Sequence, residues 1–166
     1  MKVAIIINGK PQSGKDTFCE MLAKKYRVAN HSSIDPIKEI LKFAGWNGIK
    51  TDHDRDYMSR LKQLLTDYNN FPTEYCYKKY MEFLDSNDEV IFFHIREPKE
   101  IAKLAFKIGD SCVTLLVRRE GNNKIYGNSS DNDVENYSYT NIYNNNKSLV
   151  EMKDDVIEFF EREIVK

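Results

Sequence analysis

A parallel α/β sheet with helices on both faces is the fold class the sequence predicts, and three observations predict it. Short apolar runs alternate along the chain with stretches of helical periodicity. A glycine-bounded loop joins the first apolar run to the first helical stretch, and two extra helical stretches separate the second apolar run from the third.

The elements follow in order. Val3 to Ile7 is the first strand. Phe18, Met21, Leu22 and Tyr26 recur at helical spacing, so Lys15 to about Tyr26 is expected as a helix with that stripe on the sheet. A short second strand covers Arg27 to His31. Asp35-Pro36 opens a helix with Asp35 as N-cap and Pro36 at N1; Ile37, Ile40, Leu41 and Ala44 form its apolar face and Gly45 its end. A charged helix follows with Met58, Leu61, Leu64, Leu65 and Tyr68 on one face. Pro72 begins another, bearing Tyr75, Cys76, Tyr80 and Phe83, whose helical spacing favours core packing over base stacking.

Glu89 to Ile95 reads as a buried strand that delivers His94, Arg96 and Glu97 at its C-terminal end. Pro98 starts the next helix, with Ile101, Leu104 and Ala105 inward and Gly109 beyond its end. Cys112 to Val117 is the fourth strand, ending in Arg118-Arg119, and Tyr139 to Tyr143 a weaker fifth. Ser148-Leu149-Val150-Glu151 is a capping box opening a last helix with Met152, Val156, Phe159 and Phe160 on its inner stripe.

At 166 residues this is most simply one domain, 1–166, and 41% hydrophobic with 31% charged residues describes a soluble globular protein. A formal net charge of −1 gives no general affinity for nucleic acid or anionic membrane, so any phosphate ligand must be met by local placement of charge. Cys19, Cys76 and Cys112 are widely spaced among apolar residues, which suits buried thiols in a reducing compartment. With no apolar run of membrane-span length and no signal-like start, the cytoplasm is the expected location.

The chemistry concentrates in Gly9-Lys10-Pro11-Gln12-Ser13-Gly14-Lys15-Asp16-Thr17. This is a P-loop pattern, with Asp16 in the usual hydroxyl slot and Thr17 one place later. Gly9 and Gly14 let backbone N–H groups approach a polyphosphate; the helix start adds partial positive charge, and Lys15 places an ammonium between the β- and γ-phosphates. Asp16 is chemically admissible as a Mg²⁺ ligand, because that ion takes oxygen ligands and few carboxylates. The competing reading is a ligand-free strand-to-helix turn in which Asp16 only favours the helix start. In an open parallel sheet ligands bind beyond the carboxyl ends of the strands, so this loop, Asp35, His94, Arg96, Arg118 and Arg119 are expected on one rim. The blander reading of Arg96 is a surface ion pair with Glu97 or Glu100.

The Ser-Gly-Lys-Asp form of the loop resembles that of bacteriophage-type deoxynucleoside monophosphate kinases and, more distantly, animal-type phosphomevalonate kinases. Pro36-Ile37-Lys38-Glu39-Ile40-Leu41, Ser59-Arg60-Leu61-Lys62-Gln63-Leu64, Ile95-Arg96-Glu97-Pro98-Lys99-Glu100 and Asn145-Asn146-Lys147-Ser148-Leu149-Val150-Glu151 are similar to further segments of those kinases. The resemblance touches most of the chain, although only the loop is specific by itself. It implies the P-loop NTPase three-layer, nucleoside monophosphate kinase-like fold with sheet order 2-3-1-4-5, a helical acceptor-binding insertion over about 36–86 and a short, mobile lid over about 119–136. Two positions depart from the pattern: His94 stands where the family usually has Asp, and Asp131 where the lid commonly has Glu.

The expected activity is transfer of the γ-phosphoryl of Mg·ATP to a (deoxy)nucleoside monophosphate. Such an acceptor needs no general base, since its phosphate oxygen is already ionised. Gly9, Ser13, Gly14, Lys15, Asp16 and Thr17 hold the donor, and Asp16 organises Mg²⁺. Asp35, Lys38, Arg60 and Arg96 are the acceptor-side candidates, and Arg119, with Arg118 second, is expected to close over the transferred group. For Lys38 and Arg60 an exposed helix face is an equal alternative. A hydroxyl acceptor such as a nucleoside would instead need a base, for which Asp35 or His94 is available. A nucleotide-binding regulator without transfer is the third reading; no guanine-recognition signature of a GTPase switch is found.

Overall fold

The computed structural model describes residues 1–121 and 132–165. Five strands form one parallel sheet in the order β2-β3-β1-β4-β5: β1 (Val3–Asn8), β2 (Val28–Ser32), β3 (Val90–His94), β4 (Cys112–Arg118) and β5 (Asn141–Asn144). The helices are α1 (Lys15–Leu22), α2 (Asp35–Phe43), α3 (Asp52–Asn69), α4 (Phe71–Asp85), α5 (Pro98–Ile108) and α6 (Leu149–Phe159), the last running on into a wider turn over Phe160–Val165. A single 3₁₀ turn spans Asp133–Glu135.

The alternation of side chains along β1 builds both cores. Ile5 and Ile7 face one layer, where Phe18 and Leu22 of α1 meet Met152 and Val156 of α6. Ala4 and Ile6 face the other, with Cys76 and Phe83 of α4 and Ile101 and Leu104 of α5. Phe18 sits edge-on to Tyr143, ring centroids 5.0 Å apart, and to Phe92 at 6.2 Å. Burying each such side chain contributes about 1.5–3 kcal/mol. Burial also pushes the Cys76 thiol up to about 12, and that of Cys19 higher still, so both act as small apolar fillers. No described helix is long and apolar enough to cross a membrane.

Four expectations are corrected. α1 ends at Leu22, because the chain leaves the helix in a tight turn with Lys24 N–H donating to Met21 O and Lys25 N–H to Leu22 O. Tyr26 reaches the core from beyond that turn, stacking on Phe160 with centroids 5.1 Å apart. Asp35 is not the N-cap of α2 but its first residue; Ile34 is the N-cap, and the Asp35 carboxylate accepts from the Ser32 N–H at 2.7 Å. The inner face of α2 is narrower than its stripe, since of its apolar residues only Pro36 and Ile37 are buried and Ile40 and Ala44 are exposed. In α3, Leu64 and Tyr68 point to solvent, whereas Met58 and, against its polarity, Lys62 are buried.

Both capped starts are built as reciprocal boxes. Ser148 Oγ accepts from the Glu151 N–H while Glu151 Oε2 accepts from the Ser148 N–H, as the sequence suggested. Thr51 and Asp54 do the same at α3, with Asp standing in for the usual Glu or Gln.

Candidate active site

The C-terminal ends of β1, β3 and β4 open onto the loop between β1 and α1. In register, Ile7 lies beside His94 and Asn8 beside Leu116, so the loop, the β3 exit and the β4 exit meet at one rim. The first link is Asn8, whose side chain is 1% exposed. Its Oδ1 accepts from the Gly9 N–H at 2.9 Å, and its Nδ2 donates to Arg96 O at 3.0 Å and to Tyr139 Oη at 2.8 Å. Tyr139 in turn donates to Val134 O at 2.6 Å. Sequence reasoning passed over Asn8, a polar residue at the end of an apolar run, and that position was its only signal.

The loop itself is tightly wound. Gln12 and Gly14 take left-handed backbone angles, φ 65° and 92°, and Ser13 between them donates its N–H to Lys10 O at 3.1 Å. Successive residues of opposite hand turn amide N–H groups toward one concavity, the geometry that receives anions. A Cβ on Gly9 would collide with Ser13 Oγ and approach Val117 O to 2.6 Å; on Gly14 it would collide with Asn145 Nδ2. Asn145, 6% exposed, clamps the loop from the far side: its Nδ2 donates to Ser13 O at 2.9 Å and its N–H to Arg118 O at 2.7 Å. Ser13 Oγ is a buried side-chain oxygen with no hydrogen-bond partner among the described residues. It lies on a small cavity of about 20 Å³, lined also by Lys10, Arg118, Arg119 and Glu135 and large enough for one water.

α1 begins on this loop. Lys15 is 16% exposed, and its Nζ lies 4.0 Å from Asp16 Oδ1. Asp16 is 76% exposed, and the same oxygen lies 3.8 Å from His94 Nδ1. His94 Nε2 meets Asn30 Oδ1 of β2 at 3.2 Å. Burial pushes the His94 imidazole below its ordinary value and Lys15 and Arg96 add to that, against the opposing pull of Asp16 and Asp35. Thr17 follows Asp16 half-buried. The loop can therefore offer an anion a ring of amides, a lysine and a carboxylate that keeps its freedom to rotate. The two positions where no Cβ fits, Gly9 and Gly14, together with the lysine and the exposed carboxylate of Asp16, are residues that would fit a magnesium-bound triphosphate.

On the other side of the rim, Arg96 follows β3 at an exposed position. Of the two acids weighed as ion-pair partners of Arg96, Glu97 places Oε2 2.8 Å from Lys62 Nζ, and Glu100 meets Thr73 Oγ1 and Lys103 Nζ at 2.8 and 2.9 Å, while the charge of Arg96 also acts on Glu97. Lys38 is half-buried on α2. Lys50, in the loop before α3, was missed. Burial and then the charges of Lys38, Arg96 and Arg55 push its ammonium below its ordinary value, with Asp35 opposing. The α2–α3 loop thus brings a second lysine into the field of Lys38 and Arg96, which no motif in the sequence marked. Arg60 is engaged on its own helix, 3.6 Å from Asp56 and with its guanidinium 5.5 Å over the Tyr57 ring.

Arg118 forms a two-pronged pair with Glu135, Nε to Oε1 and Nη2 to Oε2 at 3.2 Å each. Arg119 is exposed and has no partner among the described residues. Most of the expected lid, including Asp131, lies outside the described residues.

No family model matches the chain, and no curated protein matches it in sequence. Solved structures do resemble it. One is the Thermus thermophilus protein TT1252, 16% identical, covering 96% of this chain and 97% of that one with a TM-score of 0.54. Another is a candidate kinase from Chloroflexus aurantiacus, 13% identical over 98% and 97% of the two chains with a TM-score of 0.55. The Mycobacterium tuberculosis APS kinase CysC aligns over 96% and 97% of the chains at 12% identity, with a TM-score of 0.46 that carries no further argument. At these identities the likeness is one of fold, and the chain has the α/β architecture, with sheet order 2-3-1-4-5, that it shares with the Thermus and Chloroflexus structures.

Proposed function

We propose that this chain is a phosphotransferase that takes the γ-phosphoryl group from Mg·ATP and delivers it to a small phosphorylated acceptor, a (deoxy)nucleoside monophosphate. The observation that carries the reading is the loop from Gly9 to Thr17. It is wound between β1 and α1 with left-handed turns at Gln12 and Gly14, no room for a Cβ at its two glycines and a largely sheltered Lys15 at the start of α1. The fold shared with a candidate kinase agrees with it.

In the reaction the bond between the γ-phosphorus and the β–γ bridging oxygen breaks, and a bond from that phosphorus to an acceptor phosphate oxygen forms, leaving ADP. The loop amides and Lys15 hold the β- and γ-phosphates in line and take up the charge that moves onto the leaving oxygen. Mg²⁺ supplies charge neutralisation when bound, and Asp16 is its proposed carboxylate ligand. Arg96, with Lys38 and Lys50 adding to the same positive field, orients the acceptor phosphate. Helices α2 to α4 form the acceptor side, 119–136 the lid, and Arg119 is the cation that approaches the transferred group. A cytoplasmic setting suits such a substrate pair.

A coupled ADP-release assay over a panel of nucleoside monophosphates, nucleosides and phosphomevalonate tests the reading. Turnover with one or more monophosphates is expected. Turnover confined to nucleosides would replace it with a hydroxyl-acceptor kinase, and ATP binding without turnover on any member would favour a regulator.

A further inference from the structure

His94 and Asp16 face each other across the rim in an arrangement that a lone carboxylate does not need. Asn30 Oδ1 can only accept, so the 3.2 Å contact places the ring proton of His94 on Nε2. The Nδ1 lone pair is then left facing Asp16 Oδ1, 3.8 Å away. In the neutral ring the two acceptors turned toward one another hold no hydrogen bond between them, and a metal cation, or a proton on Nδ1, is the group that satisfies both.

We infer that His94 Nδ1 and Asp16 Oδ1 are joint ligands of the nucleotide-bound divalent metal, and that this mixed nitrogen and oxygen set moves the metal preference of the site from Mg²⁺ toward Mn²⁺ or Co²⁺. The inference rests on the proposed donor site and adds to it the identity of a second ligand.

Adjacent positions on an octahedral ion with bonds near 2.1 Å are about 3.0 Å apart. The pair therefore has under about 1 Å to close, and Asp16, three-quarters exposed, has the room to rotate. His94 does not have to move, because β3 pairs on both sides, with Ile7 and Ser32 as neighbours, and Asn30 fixes the ring. That is the outer support a metal-binding imidazole ordinarily has: one nitrogen held by an acceptor, the other presented to the ion. Imidazole nitrogen suits first-row transition ions, whereas Mg²⁺ favours oxygen throughout. Among the described residues no group of three or more His, Cys, Asp or Glu could hold a metal, so the remaining positions are left to phosphate oxygens and water.

The test uses the full chain with Mn²⁺ and the β,γ-methylene analogue of ATP, made with natural and with ¹⁵N-labelled histidine. Pulsed electron paramagnetic resonance of the bound Mn²⁺ should show a nitrogen coupling that changes with the label and disappears in His94→Gln, while calorimetry still records nucleotide binding. The ratio of Mn²⁺ to Mg²⁺ affinity should fall about tenfold or more in the same variant. His31 and His53 carry the same label, so the loss of the coupling in His94→Gln is what assigns it to His94. Binding of Mn²⁺ and nucleotide by the parent without any histidine coupling would overturn the inference and leave the donor site standing. Failure of the parent to bind the nucleotide at all would overturn both.

Discussion

Lys62 of α3 lies 2.8 Å from Glu97 at the exit of β3, so the helices between β2 and β3 are tied to the strand end that carries Arg96 through one sheltered ion pair. Lys62 is 11% exposed and Glu97 35%. Burial alone pushes the Glu97 carboxyl up, but the charge and hydrogen bond of Lys62, with a backbone N–H and the charge of Arg96, together outweigh it and hold the group below the usual carboxylate range.

Replacing Lys62 by Met should therefore destabilise the fold at pH 7 by about 1–2 kcal/mol, a figure reduced for the exposure of Glu97. A depressed carboxyl stabilises above its unfolded value and ceases to do so as pH falls through its folded value. The gap in Tm between parent and variant should consequently shrink from pH 7 toward pH 3. A gap that stays constant over that range would show that the pair contributes packing and not charge.

Asn145 should prove to support the proposed phosphate-binding loop although it lies 132 residues from Ser13. Asn145→Ala leaves Ser13 O without its donor, at a cost of about 1–3 kcal/mol. Asn145→Asp should weaken ATP further, by placing an acceptor where a donor stood and a negative charge behind the phosphates. Equal ATP affinity in Asn145→Asp and the parent would remove Asn145 from the site.

Lys15→Ala should abolish phosphoryl transfer with little change in Tm, because the ammonium approaches only the carboxylate of Asp16 and no described core group. Asp16→Ala should keep the fold and raise the metal requirement. Unchanged turnover in the first variant would sink the donor-site assignment.

On the acceptor side, Arg96→Lys should raise the acceptor KM or lower kcat while ATP binding changes little, since a lysine cannot reproduce a two-pronged contact to phosphate. Asp35→Asn should be mild, because its amide oxygen can still accept from the Ser32 N–H. A fall in kcat of about two to four orders of magnitude confined to Asp35→Asn would instead mark a general base and a hydroxyl acceptor.

The parts of the site legible in the sequence were those that depend on local chain geometry. The glycine spacing, the lysine at the helix start and the Ser148 box are consecutive residues acting on their own backbone, so their chemistry can be read from the string of letters. Asn8, Asn145, Lys50 and Lys62 act on segments remote in sequence, and beyond the place of Asn8 at the end of an apolar run and of Asn145 and Lys62 within kinase-like segments nothing local marks what they bind. The helices between β2 and β3 misled for a related reason. Periodicity gave their existence, but which side of α3 is covered depends on where α4 lies, and that placed Lys62 inside and Tyr68 outside. His31, an end-of-strand residue by sequence, packs against Phe93 and Tyr75 and belongs to the second core's edge.

The amide of Asn8 has one oxygen and two hydrogens, and each is committed to a different stretch of chain: the loop at Gly9, the β3 exit at Arg96 and the segment before β5 at Tyr139. Three segments are thereby joined at the rim by a single small side chain, over and above the pairing of β1 with β3 and β4. Aspartate would lose both donors, and leucine of similar size would lose the acceptor as well, while the longer glutamine would displace whichever segment it pressed against. The spacing between the Gly9–Thr17 loop and Arg96 is thus a ruler one side chain long, cut into the last residue of the central strand.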